Sequence, residues 1–180
     1  MSTFIQQYRK DVLPALQKRF NIKNVMAVPK IDKVVINVGI GKITKDDKFV
    51  EKIVRDLGLL SGQKPVTRKA KKSIAGFKLR EGVDIGLSVT IRGKRMYDFI
   101  SRLINIALPR SRDFRGIDLK NFDKNGNLNI GLKEHSIFPE IHYENIKDIF
   151  GMQITIVTTA KDKEQGIELL RMMHFPLKAK

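Results

Sequence analysis

The chain of 180 residues has no cysteine and no tryptophan, only three tyrosines, and just 19 acidic residues against 35 lysines and arginines. Without cysteine there is no disulfide framework, no thiol nucleophile and no thiolate-held zinc, iron–sulfur or haem group. No run approaches the roughly 18 apolar residues of a membrane span, and the opening stretch from Met1 to Asp11 lacks the apolar core of a secretory signal. The expected setting is the cytoplasm. Whole-chain disorder is excluded as well, because 42% of the residues are hydrophobic. The length is that of one domain, 1–180, able to bury about 70% of its unfolded surface.

The shortage of acid leaves a formal charge of +16 and a pI near 10.1. So large a surplus repels itself when compact, and a polyanionic partner is the physical reason to carry it. The charge is concentrated in two places. Lys64, Arg68, Lys69, Lys71, Lys72, Lys78 and Arg80 form one cluster with no acid among them; Arg92, Lys94, Arg95, Arg102, Arg110, Arg112 and Arg115 form the other, offset by Asp98 and Asp113. Either cluster alone reads as a solvated face. Together they read as a nucleic-acid footprint, since an anionic lipid surface would call for a basic amphipathic helix with tryptophan on its apolar side.

Apolar periodicity sets out the elements. Tyr8, Val12, Leu16 and Phe20 recur at helical spacing, with Pro14 expected to kink the helix and Pro29 closing the segment. Val34, Ile36, Val38 and Ile40 alternate with Lys33, Val35, Asn37 and Gly39 as a half-buried strand. Asp46 and Asp47 suit the start of a helix carrying Phe49, Ile53, Leu57 and Leu60, ended by Ser61-Gly62. A second strand sets Ile85, Leu87, Val89 and Ile91 against Gly86, Ser88, Thr90 and Arg92. Met96, Phe99, Ile100, Leu103 and Ile104 mark a helix that Pro109 is expected to stop. Asn125-Gly126 predicts a hairpin leading into Leu128, Ile130 and Leu132. A last strand runs over 152–159, and Asp162 is placed to cap a final helix.

Every strand has one apolar face and one face of small or polar residues. The expected fold is α+β, a mostly antiparallel sheet with helices packed on one face and the other face open for RNA. That open face offers Asn37 and Thr90 as directional hydrogen-bonding groups. It carries no stacking aromatics, so structured RNA read by shape and backbone fits better than splayed single-stranded bases. Ala70 to Gly82 is a basic loop with an apolar tip. Either the tip packs on the domain, or the loop protrudes and orders when phosphates neutralise it.

Sequence motifs for catalysis are weak. Gly39-Ile40-Gly41 follows a strand, but the third position of a dinucleotide fingerprint is Thr44, and Gly41-Lys42 is followed by Ile43 rather than a hydroxyl residue. His135, His142 and His174 lack metal-ligand spacing, there is no Gly-x-Ser-x-Gly elbow, and Glu134 beside His135 falls where a loop is expected rather than a pocket. The expectation is a binding protein, neither an enzyme nor the holder of a cofactor or metal. The competing readings are an RNA-modifying enzyme on the same basic surface, and a DNA-binding protein suggested by charge alone.

The residues resemble one family over nearly the whole chain, the bacterial form of large-subunit ribosomal protein five. The likeness runs through Val28-Pro29, Asn37 with Gly39 and Gly41, Ser61-Gly62-Gln63-Lys64-Pro65 and Ala70 through Arg80. It continues in Val89-Thr90-Ile91-Arg92-Gly93, Arg112 through Gly116, Ile137 through Ile141, Thr158-Thr159-Ala160 and Phe175-Pro176. The resemblance implies a ribosomal structural protein, ribosome-bound and monomeric when free. It implies 5S rRNA contacts at Asn37, Gln63 and Thr90, with Lys64 and Arg92 adjoining, and attachment to large-subunit rRNA in the central protuberance. It places Lys71, Lys72, Ser73, Ile74, Ala75, Gly76, Phe77, Lys78 and Arg80 in a loop that reaches P-site tRNA. Ile137, Phe138, Pro139, Glu140, Ile141, His142 and Tyr143 fall in the region facing small-subunit ribosomal protein thirteen across an intersubunit bridge. Ser111, Leu128 and His135 depart from the family's usual residues.

Overall fold

The computed structural model describes residues 3–41, 47–77, 79–111, 114–141 and 149–178. Five strands form one sheet: β1 (Ile31–Gly39), β2 (Val66–Lys69), β3 (Asp84–Ile91), β4 (Leu128–Leu132) and β5 (Met152–Thr158), in the order β2-β3-β1-β5-β4. Neighbours run antiparallel. Val66 lies opposite Ser88 and Arg68 opposite Gly86, Ile40 donates to the Ile85 carbonyl at 2.9 Å, and Thr159 donates to Lys30 at 2.9 Å. Among the described residues, four helices of eight residues or more accompany the sheet: α1 over residues 3–20, α2 (Asp47–Ser61), α3 over residues 93–110 and α4 (Lys163–Met172). The α+β architecture with an antiparallel sheet is the one expected.

Two prolines sit inside helices without ending them. Proline has no N–H to donate, and its ring crowds the carbonyl four residues back. In α1 the turn Tyr8–Val12 before Pro14, and in α3 the turn Leu103–Ala107 before Pro109, widen to π-helical geometry. Leu13 donates to the Tyr8 carbonyl and Leu108 to that of Leu103, five residues back, which lets the helix pass the ring. Pro109 is therefore not the stop expected of it; α3 runs on to Arg110, and Ser111 turns extended.

The chain groups into two compact units, Met1–Val34 with Ile91–Ile130 and Thr155–Lys180, and Val35–Thr90 with Gly131–Ile154. In the first, Val12 and Leu16 of α1, Phe99 and Leu103 of α3 and Leu169 and Leu170 of α4 are buried, and the first turns of α1 lie against the start of α3. The Asn125-Gly126 turn forms as expected. Asp123 accepts from the Asn125 and Asn127 N–H groups at 2.9 and 2.8 Å, and Phe122 bridges Leu128. Asp162 stands at the start of α4 without a side-chain cap bond; instead Gln165 Oε1 accepts the Lys161 N–H at 3.3 Å.

In the second unit, the alternation of β1 holds, with Ile36 and Val38 buried and Asn37 and Gly39 exposed; in β3 it holds only at the end of the strand, where Thr90 is exposed beside buried Val89, since Gly86 and Ser88 are buried along with Leu87. Helix α2 buries Ile53, Leu57 and Leu60 along one stripe and leaves Leu59 outside. Each buried side chain contributes about 1.5–3 kcal/mol relative to exposure. Gly62 ends the helix as expected, with φ +70° and its N–H on the Gly58 carbonyl at 2.9 Å. His135 is wholly buried: its ring stacks on Phe150 at 4.0 Å, and its Nδ1 accepts the Phe150 N–H at 3.2 Å.

Candidate RNA interface

Asn37 and Thr90 lie on neighbouring strands at positions whose side chains are exposed, opposite in parity to the buried apolar set. Gln63 is brought to the same edge by the end of α2. The Ser61 hydroxyl donates to the Leu57 carbonyl at 2.6 Å and accepts the Gln63 N–H at 3.3 Å, which fixes the backbone at the exit. From there the Gln63 amide nitrogen donates to the Thr90 carbonyl at 2.6 Å. Its own carbonyl oxygen is left as an acceptor. Lys64 follows, exposed, beside a buried Pro65.

Part of this face is less bare than the alternation suggests. Gly86 and Ser88 are buried, Ser88 with only 7% of its surface exposed, because Arg68 of β2 reaches over them. Arg68 Nε donates to the Ser88 hydroxyl at 2.8 Å. Arg92 in the first unit is exposed and paired with Asp32, its Nη1 3.3 Å from the carboxylate. That pair is solvent-exposed on both sides and contributes at most about 1 kcal/mol, so it leaves the guanidinium readily exchanged to another anion.

Of the two readings the sequence left open for the basic loop, the protruding one matches its described residues, and backbone hydrogen bonds run across it. Ala70 donates to Val83 at 2.8 Å, Gly82 to Ala70 at 3.0 Å, and Ile74 and Leu79 exchange bonds of 3.0 and 3.1 Å. Ser73 Oγ accepts the Glu81 N–H at 2.9 Å. The tip of the loop is exposed: Phe77 is 80% exposed and Ile74 46%. Lys71, Lys72, Ala75, Gly76 and Arg80 are exposed as well, and Lys78 lies outside the described residues.

The segment from Ile137 divides in two. Ile137, Phe138 and Ile141 are buried, so its described surface is Pro139 and Glu140. His142 and Tyr143 lie outside the described residues, as do Asp46, Lys42 through Thr44 and Arg112. Sequence reasoning did not assign Arg68 a place on the sheet face. Its signal was available in part, since Ser88 and Gly86 were expected there, but the partner strand and its register were not. Among the described residues, no group of three or more histidines and carboxylates could hold a metal ion, and no helix is long and apolar enough to cross a membrane.

Comparison with known proteins agrees with this architecture. Residues 24–80 match the model of the family described as ribosomal protein L5, and residues 84–177 match the model of the same ribosomal family's C-terminus. The large ribosomal subunit protein uL5 of Halothermothrix orenii is 48% identical over 176 residues, covering 98% of both chains. That of Syntrophomonas wolfei is 50% identical over 178 residues, 99% of this chain and 100% of the relative. That of Streptococcus thermophilus is 53% identical over 171 residues, 95% of each. Such matches define the class, a structural and non-enzymatic constituent of the large ribosomal subunit, associated with rRNA and ribosome-bound in the cytoplasm. The chain belongs to the uL5 family.

Proposed function

We propose that this protein binds 5S rRNA through the polar sheet face of Asn37, Gln63, Lys64 and Thr90, with Arg92 as a further rRNA contact, and so helps attach it to large-subunit rRNA in the central protuberance. The observation that carries this reading is the exposure of Asn37 and Thr90 with Gln63 tied to the same strand end, set against the buried Ile36, Val38, Leu87 and Val89. Side-chain and main-chain groups fixed in this way suit a folded RNA surface read by hydrogen bonds and backbone contacts. The basic loop with its exposed Phe77 is suited to P-site tRNA: cations for the phosphates and an apolar tip for the nucleosides. The segment from Ile137 to Tyr143 is assigned to the bridge with small-subunit ribosomal protein thirteen, its described contact surface being Pro139 and Glu140. The free protein is a monomer forming a single ribosomal RNA-binding domain.

Filter binding of full-length protein to 5S rRNA, beside a scrambled RNA of equal length at moderate salt, tests the central claim. Preference for 5S rRNA is expected; equal affinity for both rejects it.

A further inference from the structure

Arg68 sits on the one strand of the sheet whose every residue is exposed, β2. Its antiparallel partner across the ladder is Gly86, and paired residues project to the same side of a sheet. A β-carbon built on Gly86 would lie 3.9 Å from the Arg68 β-carbon and 3.3 Å from the Val38 carbonyl. Gly86 sets no side chain beside Arg68, which reaches Ser88 two residues further along β3. There Nε donates to the hydroxyl at 2.8 Å. Ser88 has the same parity in β3 as Thr90, so the guanidinium is held on the face that also exposes Thr90.

We propose that Arg68 is a preorganised phosphate ligand on this face, with Ser88 as its positioning residue. The inference rests on the reading of the face as an RNA surface. An arginine has five N–H donors, of which Nε is used here for anchoring, and the two terminal nitrogens form the parallel fork that matches two oxygens of a phosphodiester. Its bonded partner is a neutral hydroxyl, which leaves the positive charge in place; Arg92, by contrast, already faces Asp32. A long side chain fixed before binding loses less rotamer freedom on capture, and Ser88 supplies that fixing. Contacts to phosphate set register and carry the salt dependence, while Asn37, Gln63 and Thr90 act through directional hydrogen bonds.

The test measures affinity of the full-length protein for 5S rRNA over a range of salt concentrations, for wild type and for Arg68→Ala, Arg68→Lys and Ser88→Ala, with Lys163→Ala on α4 as a charge-matched control. Arg68→Ala should weaken binding about tenfold or more and lower the salt slope by about one, the signature of a lost phosphate contact. Arg68→Lys should keep the slope and still weaken binding, because the charge survives and the fork does not. Ser88→Ala should do the same more mildly, a pattern that simple loss of packing does not give. Lys163→Ala should leave both unchanged. If wild type prefers 5S rRNA while Arg68→Ala matches it in affinity and slope, the inference falls and the reading of the face stands. If wild type shows no preference, the reading of the face falls and takes the inference with it. Should Arg68→Ala fold poorly, the two milder variants decide: unchanged affinity in both overturns the proposal.

Discussion

The Gln63 side-chain amide donates to the main-chain carbonyl of Thr90 at 2.6 Å, joining the exit of α2 to the end of β3 across 27 residues of chain. Because the acceptor is backbone, the two residues separate under mutation. Thr90→Ala keeps the bond and should leave the urea midpoint unchanged while weakening 5S rRNA binding. Gln63→Ala loses the bond, which should cost about 1 kcal/mol of stability as well as affinity. Gln63→Glu should be worse than Gln63→Ala in both, since it sets a carboxylate against a carbonyl and adds negative charge near the RNA. Equilibrium unfolding together with filter binding reads all three.

Glu168 is buried, its side chain only 6% exposed, between Arg19 at 2.8 Å and Arg171 at 2.7 Å. Either arginine alone still compensates the carboxylate, so Arg19→Ala or Arg171→Ala should cost on the order of 1 kcal/mol. The double variant strands a buried charge and should cost about 3–5 kcal/mol, more than the sum of the two. A double-mutant cycle by urea unfolding measures the excess. Additive costs would mean that the carboxylate is not sealed from water.

Gly166 in the first turns of α4 lies against the turn at Gly126, where a β-carbon on Gly126 would come within 3.0 Å of the Gly166 α-carbon. A β-carbon on Gly166 would meet the Gly126 carbonyl oxygen and α-carbon, atoms of backbone that no rotamer change can clear. Gly166→Ala should destabilise by about 3 kcal/mol or fail to fold. Gly58 in α2 is the contrast, with nothing within 4 Å of its added carbon. Gly58→Ala should stabilise by about 0.4–1 kcal/mol, through the unfolded chain and helix propensity. Thermal denaturation of the pair gives the comparison.

Burial, reinforced by the neighbouring Tyr97 hydroxyl, pushes the Tyr8 phenol up to about 12. Its hydroxyl donates to the Pro29 carbonyl at 3.1 Å, a bond only the protonated form can make. Between the ordinary tyrosine value of about 10 and the folded value, the unfolded chain releases a proton that the folded chain keeps. The stabilisation is therefore whole below pH 10 and is lost as pH rises toward 12. Tyr8→Phe should lower stability at neutral pH and make the alkaline limb of the stability curve shallower. Chemical unfolding at intervals from pH 7 to pH 11.5 is the measurement; parallel limbs for both proteins would contradict it.

What was legible in the sequence was mostly what local spacing decides. Alternation in β1 and β3 placed Asn37 and Thr90 on the outward face, Ser61-Gly62 ended α2, and Asn125-Gly126 made its turn. Prolines were legible only as disturbances. Whether Pro109 stops a helix or is passed by a π-helical turn depends on the packing that holds Leu103, Ala107 and Leu108 inside, all of them buried. His135 showed in the sequence only as a histidine without metal-ligand spacing; its burial against Phe150 comes from a contact between residues 15 apart in the chain.

Charge and alternation are properties of the chain itself, because each residue contributes its charge and its parity wherever the strand lies. They determined that this protein has a basic, two-sided sheet. Which side chains meet on the polar side was decided by tertiary structure alone. Register sets Arg68 over Gly86 and Ser88, and the path out of α2 delivers Gln63 to Thr90, because hydrogen bonds between distant residues form only after the backbone has brought them within about 3 Å.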